Sequence, residues 1–458
     1  MRQRRQHVTG SSGMSRRDVL RLGAAATAGV AAGPFVMRVA RPADAFSWQR
    51  FKGSRIFVLL IKHPWSDNTL DFLPDFEKQT GIKAELSVLP EIQARQKAQI
   101  EFTSGSGGVD AWYTSLHVEK RRFWKSGWYA DLRKFLNDPT MTAPDYDWGD
   151  IHPAGKVIAT QPDGSVSALP IYLNIDLLFY RKDLFQQKGL KPPKTLNDME
   201  DSAQKLHNPP TMYGYVGRGL KNANAPPWDW LLYCMGGTFM TKEGKANINT
   251  PEAIKAMDWY AGMLRRFAPP GVLNFNWYEC SAVFMQGIVA MYRDSVFFAT
   301  PFEDKEKSKI VGKVGYIPLP AGPGGQFSIG GSDALAISPQ SKLQGPAWFF
   351  AQWATSKQNA IKQMRAGVGM LRTSIWNNPA VKTMTKMPPD SVDAYLESLR
   401  IMGATGVNPA LPEIVSVTEY RDIVGVAIQK AIEGAKSEEV LDQAQKEFQE
   451  LLDKTEKS

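Results

Sequence analysis

Cysteine and histidine are scarce in this sequence, and their scarcity argues against a metal centre. The 458 residues include two cysteines and five histidines. No two histidines have the H-x-x-x-H spacing with which a helix presents paired zinc ligands, so we expect neither a metal nor a cofactor. The cysteines, Cys234 and Cys280, could form one disulfide or remain two buried thiols, and the sequence leaves both open.

The motifs of nucleotide binding and nucleophilic catalysis are also missing. There is no Walker loop, and the segments GRGLKN and GVGMLR each lack the third glycine of a dinucleotide fingerprint. The segment GGSDA (330–334) resembles a nucleophile elbow, but Ala334 replaces the last glycine and no histidine follows Ser332. We therefore expect no enzyme. A secreted glycosidase or lyase stays open as the enzymatic alternative, because the many carboxylates could include a catalytic pair.

Positive charge is concentrated at the N-terminus. Of the net charge of +9, residues 1–45 contribute +6, from eight arginines against two aspartates, which leaves +3 for the remaining chain. We find no basic patch in that remainder, and nucleic acid is therefore not an expected partner.

The N-terminal segment has the pattern of an export signal. Paired arginines in SRRDVLRL (15–22) precede a weakly apolar, Ala- and Gly-rich stretch, and Ala43 and Ala45 provide the small residues of a cleavage site. Charged residues and Pro34 interrupt this stretch, which argues against a membrane anchor. We predict a twin-arginine signal over 1–45 and a mature periplasmic protein from about Phe46. Translation could begin at Met1 or at Met14.

Beyond the signal, strands alternate with helices. RIFVLLI (55–61) is typical of a buried strand, LDFLPDFEKQTG (70–81) of a helix that Pro74 kinks or restarts, and further strand–helix pairs follow to residue 127. This order predicts an α/β fold with a mostly parallel sheet and helices on both faces. Ligands bind such sheets at the carboxyl ends of strands, so we expect contacts from the loops at 62–68 and 114–117.

One apolar segment contains polar residues that need an explanation. In SVSALPIYLNIDLLFYRKDLF (165–185), Asn174 and Asp176 interrupt a run suited to a core strand. A buried polar group without a partner costs about 1–3 kcal/mol. The two residues lie two positions apart, so both can face one side of a strand. The simpler alternative is that Asp176 pairs with Arg181 or caps a turn.

Six segments occur in a recognisable order and carry a family resemblance. They read FEKQTGIKAELSVLP, FTSGSGGVDAWY, DGSVSALPIYLNIDLLFYRKDLF, MGGTF, FMQGIVAMYRDS and GGSDALAISPQSK. In this order and spacing the chain resembles the extracellular solute-binding proteins of ABC importers, family 1, over nearly all of its mature length. Val109 stands where the family usually has proline, a mild departure.

The resemblance implies a two-lobed periplasmic binding protein of type II. Each lobe would be a mostly parallel sheet flanked by helices, and three crossover hinge segments would join the lobes. The implied N-terminal lobe comprises 46–168 plus 295–331, and the implied C-terminal lobe comprises 174–289 plus 337–458. The implied hinge crossings are 168–174, 289–295 and 331–337.

The resemblance also implies where a ligand would bind. A strand that passes between two cores crosses the floor of the cleft, which would explain Asn174. Trp230 and Trp259 lie in helical apolar patterns and are expected in the core. The expected ligand-binding residues are His63, Trp65, Asp67, His117, Asn174, Asn222, Asn224, Trp228, Arg293, Asp294, Phe297, Asp333, Tyr420 and Arg421.

The implied function is the delivery of a small solute to a membrane permease. Polar side chains beside aromatic rings suit a sugar, oligosaccharide or polyol, and hinge closure would present the loaded form to the transmembrane subunits of an ABC permease. We expect a monomer. A phosphorylated glycerol compound or another charged solute stays open, because Arg218, Arg293 and Arg421 could hold an anion. A sensory role without transport cannot be separated from this by sequence.

Overall fold

A computed structural model describes residues 45–368, 371–405 and 408–456, so the predicted export signal lies outside the described residues except for Ala45. The strands are β1 (Arg55–Ile61), β2 (Lys83–Leu89), β3 (Ala111–Ser115), β4 (Ala168–Arg181), β5 (Met291–Ser295), β6 (Val314–Pro318), β7 (Ile329–Ile337) and β8 (Asn408–Pro409).

Helices surround these strands in both halves of the chain. The first half contains α1 (Pro64–Thr80), α2 (Glu91–Ser104), α3 (Leu116–Lys125), α4 (Arg133–Leu136), α5 (Pro153–Ala159), α6 (Lys182–Gln187), α7 (Leu196–Leu206) and α8 (Ala225–Cys234). The second half contains α9 (Pro251–Phe267), α10 (Trp277–Met285), α11 (Ala299–Phe302), α12 (Gln344–Ala354), α13 (Lys357–Arg365), α14 (Thr373–Trp376), α15 (Val381–Met384), α16 (Pro389–Thr405), α17 (Val417–Glu433) and α18 (Ser437–Thr455).

The strands form a mixed sheet in the order β2-β1-β3-β7-β4-β5, with β6 also paired to β4 and β8 to β7. The predicted α/β class is confirmed. The sheet is less parallel than expected: β1 is parallel to β2 and β3, but β7 is antiparallel to β3 and β4, and β4 is antiparallel to β5 and β6. The reason is that β4 and β7 run between the two lobes in opposite directions.

Strand β4 is long because it serves both lobes. Its first part, residues 168–175, pairs with β7, and its second part, residues 176–181, pairs with β5 and β6. Leu173, Ile175 and Leu177 on one face have no exposed surface. The first predicted crossing, 168–174, therefore lies within a continuous strand that both cores hold in place.

Buried apolar residues form two hydrophobic clusters, the first of which also includes residues of β5 and β6 such as Tyr292 and Tyr316. The first packs β1 and β3 against α12, whose Trp348, Phe349 and Phe350 are completely buried beside Phe76 of α1. The second lies among α7, α8, α9, α17 and α18, with Tyr260 at its centre. Burial of large rings of this kind removes about 150–250 Å² of surface each from water and dominates core energetics.

The strand pairing corrects two of the expected crossings and the lobe boundaries. β5 and β6 both lie beside the second part of β4, so the chain does not return to the N-terminal lobe at 289–295, and β6 does not belong there as expected for 295–331. The chain returns to the N-terminal lobe between β6 and β7, because residues 333–337 of β7 pair with β3. The helices α12 and α13 follow in that lobe, although 337–458 was expected in the C-terminal one; Gln363 of α13 donates to the Trp65 carbonyl at 3.0 Å.

Three smaller expectations have clear outcomes. α1 starts earlier than predicted, at Pro64, and continues through Pro74 to Thr80, where Gly81 ends it with φ 70°. Cys234 and Cys280 are both free and buried, so they form no disulfide. None of the described helices is both long enough and apolar enough to cross a membrane.

Candidate functional site

One face of β4 carries a polar strip where the two lobes meet. Tyr172, Asn174 and Asp176 alternate with the buried residues of the opposite face, as the two-residue period of a strand requires. Across the ladder, Tyr172 is paired with Asp333 and Asn174 with Gly331 of β7. The polar residues that interrupted the apolar run thus lie together on one surface, which we call the cleft floor.

A shared carboxylate organises the N-terminal end of the cleft floor. The hydroxyls of Tyr113 and Tyr172 both donate to Asp333 Oδ2, Tyr113 at 2.9 Å. The second oxygen, Asp333 Oδ1, is buried and has no hydrogen-bond partner among the described residues. Asp333 therefore presents one fixed acceptor toward the cleft.

His63 adds an aromatic wall beside these tyrosines. Its ring stacks on Tyr172 at 4.9 Å between centroids and meets Phe297 edge-on at 5.3 Å. It also caps α1, because its Nδ1 accepts from the backbone N–H of Trp65 at 3.1 Å. Burial lowers the pKa of His63 to about 4, although Asp333 opposes the shift. The imidazole is consequently neutral at pH 7.

His117, at the start of α3, approaches the same carboxylate from another side. Its Nδ1 lies 3.8 Å from Asp333 Oδ1, too far for a hydrogen bond, and both atoms are buried without a partner in the described structure. Burial lowers the pKa of His117 below its usual value. The ring packs against Gly331, where a Cβ would come within 2.7 Å of Nδ1.

Two ion pairs form the C-terminal end of the cleft floor. Asp176 pairs with Arg293 at 2.6 Å, and Asp294 receives two hydrogen bonds from Arg218, the Nε one at 2.8 Å. Tyr292 also donates to Asp294 at 2.7 Å. Burial raises the pKa of Asp176 against the opposing effect of Arg293, whereas Arg218 holds the pKa of Asp294 below its usual range against burial.

Arg421 differs from the other arginines of the site. Its Nε donates to the Asn222 carbonyl at 3.0 Å, but among the described residues no carboxylate lies within ion-pair distance of it. Burial, and next the nearby Arg95, lower the pKa of Arg421 to about 10. Arg95 itself is paired with Glu91 at 2.8 Å.

Several buried polar atoms of this region lack a partner in the described structure. Such groups are uncommon in folded proteins, because each costs about 1–3 kcal/mol. Both lobes contribute them, which is what a site completed by a ligand requires. They are Trp65 Nε1, His117 Nδ1, Asn174 Oδ1, Trp228 Nε1, Asp229 Oδ2, Arg293 Nε and Asp333 Oδ1.

The structure brings together half of the expected site residues and gives the others local roles. Seven surround the cleft floor directly: His63, His117, Asn174, Arg293, Asp294, Phe297 and Asp333. Arg421 has buried surroundings that include Arg95 of the other lobe. Trp65 and Trp228 are completely buried, and the indole N–H of each has no partner among the residues that the structure describes.

The remaining four expected residues are engaged elsewhere. Asp67 pairs with Lys62 at 2.7 Å, and Asn222 donates to Asp422 at 3.2 Å. The Asn224 amide donates to two backbone carbonyls, and Tyr420 is completely buried in the C-terminal core, where its hydroxyl donates to Asp229 at 2.8 Å. Asn224 Oδ1, however, is buried without a partner among the described residues.

Sequence reasoning missed Tyr113 and Tyr172, which the structure places in the site, and left Asp176 open between the cleft and a local partner. Tyr113 and Tyr172 were part of apolar runs, and only their alternation with polar neighbours on the strand could have indicated the cleft. Asp176 was considered as a partner of Arg181, but Arg181 pairs with Asp183 at 2.6 Å. Trp230 is buried as expected, and Arg293 also lies over its ring at 5.4 Å.

A second hollow of about 500 Å³ lies behind His117. Residues of α3, α5 and the segment 412–417 line it, and most of its surface is apolar. Its polar lining residues include Lys120, Gln161 and Glu413, whereas the stacked rings and ion pairs described above belong to the cleft floor. Within the described residues, no group of three or more His, Cys, Asp or Glu could hold a metal ion.

Comparison with known proteins decides the family. Residues 67–361 match the bacterial extracellular solute-binding proteins. The chain belongs to this family. Its members are substrate-binding proteins of ABC transporters and not enzymes, so the expected absence of catalysis follows from family membership.

The relatives include proteins named for polyols. The chain is 26% identical over 343 residues to the erythritol/L-threitol-binding protein of Mycolicibacterium smegmatis, covering 70% of this chain and 71% of the relative. It is 28% identical over 290 residues to the mannitol-binding protein of Pseudomonas aeruginosa, covering 61% and 64%. A solute-binding protein from Agrobacterium radiobacter K84, solved in complex with ribitol, has a TM-score of 0.79 and 26% identity, covering 87% of this chain and 99% of that one.

Proposed function

We propose that this solute-binding protein binds a linear polyol or a small sugar on the cleft floor between its lobes. The observation that carries the proposal is the set of buried donors and acceptors without partners in the described structure, among which Asp333 Oδ1 belongs to the carboxylate that Tyr172 of the stacked His63–Tyr172 pair contacts. A polyol hydroxyl can donate and accept at once, so a short chain of hydroxyls can satisfy several of these atoms. The relatives named for erythritol, mannitol and ribitol support the same class.

The charge pattern favours a neutral solute. Arg293 and Arg218 are each held by a buried carboxylate, so their charges are already compensated before a ligand binds. Asp333 places a carboxylate at the other end of the floor, where it would repel an anion. Hydroxyl groups, in contrast, form strong hydrogen bonds with charged partners and bring no charge of their own.

Transport would use closure of the lobes about β4 and β7. A ligand can shift the lobes only through its greater affinity for the closed form, and contacts from both lobes provide that difference. The closed form would then deliver the polyol to the transmembrane subunits of an ABC permease. Export through the twin-arginine signal would place a monomeric mature protein in the periplasm.

A phosphorylated polyol is the second candidate, because Arg421 has no carboxylate partner among the described residues. A phosphate would need several such donors at one place, and the two arginines whose charges lower the pKa of Arg421, Arg95 and Arg218, are already paired with Glu91 and Asp294. This candidate therefore ranks below the neutral polyol.

The test is a thermal-melt screen of residues 46–458 with erythritol, ribitol, D-mannitol, maltose and glycerol 3-phosphate. A ligand at about 100 times its dissociation constant should add about 2.7 kcal/mol of stability and visibly raise Tm. We expect a shift with one or more polyols. A shift with glycerol 3-phosphate alone would favour the second candidate, and hydrolysis of a polysaccharide would contradict a binding function.

A further inference from the structure

The gap between His117 and Asp333 has the dimensions of one hydroxyl group. His117 Nδ1 and Asp333 Oδ1 lie 3.8 Å apart, and both are buried without a partner in the described structure. An oxygen atom about 2.8 Å from each would complete both hydrogen bonds at ordinary lengths.

We infer that one ligand hydroxyl bridges His117 and Asp333, and that this pair determines which hydroxyl of the ligand must be present. The inference rests on the proposed polyol function. The hydroxyl donates its hydrogen to Asp333 Oδ1 and accepts from His117 Nδ1–H. Because it uses both its donor and its acceptor capacity, a methylene or a carbonyl at that carbon cannot replace it.

The orientation of Asp333 is fixed before any ligand binds. Tyr113 and Tyr172 both donate to Oδ2, so the carboxylate cannot rotate without losing two hydrogen bonds. Oδ1 is therefore held toward His117. A preorganised acceptor of this kind gives specificity, because an analogue that lacks the hydroxyl leaves a buried charged oxygen unsatisfied.

Gly331 holds the other partner in place. It lies on β7 two residues before Asp333, and a Cβ there would come within 2.7 Å of His117 Nδ1 and 2.8 Å of its Cγ. Any side chain at this position would push the imidazole away from the gap. Gly331 is thus a positioning residue, and the register places Asn174 opposite it on β4.

The charged surroundings keep His117 neutral. Burial and the positive charges of Arg95 and Arg421 oppose its protonation, while Asp333 and Glu91 favour it, and the pKa is lowered overall. A neutral ring can carry its single proton on Nδ1 and donate it to the hydroxyl.

The experiment combines protein variants with deoxy ligands. Isothermal titration would measure the binding of erythritol, ribitol and D-mannitol, and of the monodeoxy analogues of the tightest binder, to the wild type and to His117→Ala, Asp333→Asn and Gly331→Ala. Gly403→Ala is the matched control, since Gly403 has open space around the Cβ position. Thermal melts without ligand would confirm that each variant is folded.

We expect one deoxy analogue to bind the wild type about tenfold or more weakly than its parent, in line with the loss of hydrogen bonds to a charged group. In His117→Ala the same analogue should lose a smaller factor of affinity relative to its parent, because the hydroxyl of the parent keeps only its hydrogen bond to Asp333. Gly331→Ala should weaken the binding of the parent polyol as His117→Ala does, and Gly403→Ala should leave that binding unchanged.

Two outcomes would overturn the assignment, and they differ. In the first, the wild type binds polyols, but every deoxy analogue loses the same factor of affinity relative to its parent in His117→Ala as in the wild type. The bridging hydroxyl is then refuted while the proposed function stands. If the wild type binds none of the three polyols, the proposed function itself fails and the assignment fails with it.

Discussion

Protonation of His63 should destabilise the protein in mild acid. The imidazole is half-buried and packs against Tyr172 and Phe297, and its Nδ1 accepts the capping hydrogen bond from Trp65 N–H. A proton on Nδ1 would remove that acceptor and place a charge in a desolvated position. Both effects favour the neutral ring in the folded state.

The size and the sign of the effect follow from the pKa. Burial lowers the folded pKa from 6.5 to about 4. One pKa unit corresponds to about 1.4 kcal/mol, so the difference amounts to about 3 kcal/mol. Because the unfolded chain binds the proton more tightly, this stability is fully present above about pH 6.5 and is lost as the pH falls toward 4.

The assay is urea unfolding of the wild type and His63→Asn between pH 4 and 7.5. Asparagine is a good N-cap and does not titrate, so the variant keeps the cap and loses the proton site. The lost ring stacking adds an offset that does not depend on pH. We expect the wild-type advantage to be about 3 kcal/mol larger at pH 7.5 than at pH 4.

His152→Asn is the matched control. His152 caps α5 in the same way, with Nδ1 accepting from Ala154 N–H at 3.3 Å, but burial lowers its pKa less strongly, so the variant should give a smaller pH dependence. A free-energy difference between wild type and His63→Asn that stays flat across this pH range would refute the reasoning.

Three further predictions concern residues outside the cleft. A reductant should not change Tm, because Cys234 and Cys280 are free and buried; a drop in Tm on reduction would contradict this. Asn224→Ala should lower the free energy of unfolding by about 1–3 kcal/mol in urea titrations, because the Asn224 amide donates to two backbone carbonyls. The same substitution should leave the affinity for the polyol within twofold in calorimetry. A selective loss of affinity would assign Asn224 to the ligand. Tyr420→Phe should cost a similar amount in the same titrations, because it leaves the buried Asp229 unpaired, and an unchanged midpoint would argue against that bond.

The fold class and the cleft strand could be predicted from the sequence because both are indicated by patterns within short segments of the chain. Alternation of strands and helices needs only short windows, and Asn174 with Asp176 violated an apolar pattern that otherwise predicted burial. The lobe crossings depend on strand direction and pairing partner, which are long-range properties. The sequence therefore predicted β5 as a return to the first lobe, although β5 pairs with the second part of β4.

The individual site residues could be predicted only where their polarity conflicted with their surroundings. Asp333 and Arg293 are charges within apolar strands, and both lie on the cleft floor. Tyr113 and Tyr172 have side chains that suit a core equally well, so nothing local separated them from core residues. Asn224 and Tyr420 show the opposite case, because the Asn224 amide donates to backbone carbonyls and the Tyr420 hydroxyl donates to a buried carboxyl, so both stay predictions as ligand contacts.

The central claim is that Asn174 is kept on the cleft floor for a ligand and not for the fold. Its Oδ1 is buried and has no partner among the described residues, so Asn174→Ala removes an unsatisfied group and should leave Tm of the ligand-free protein unchanged or slightly higher. The same substitution should weaken the binding of the preferred polyol about tenfold in isothermal titration. A lower Tm together with unchanged polyol affinity would contradict the account.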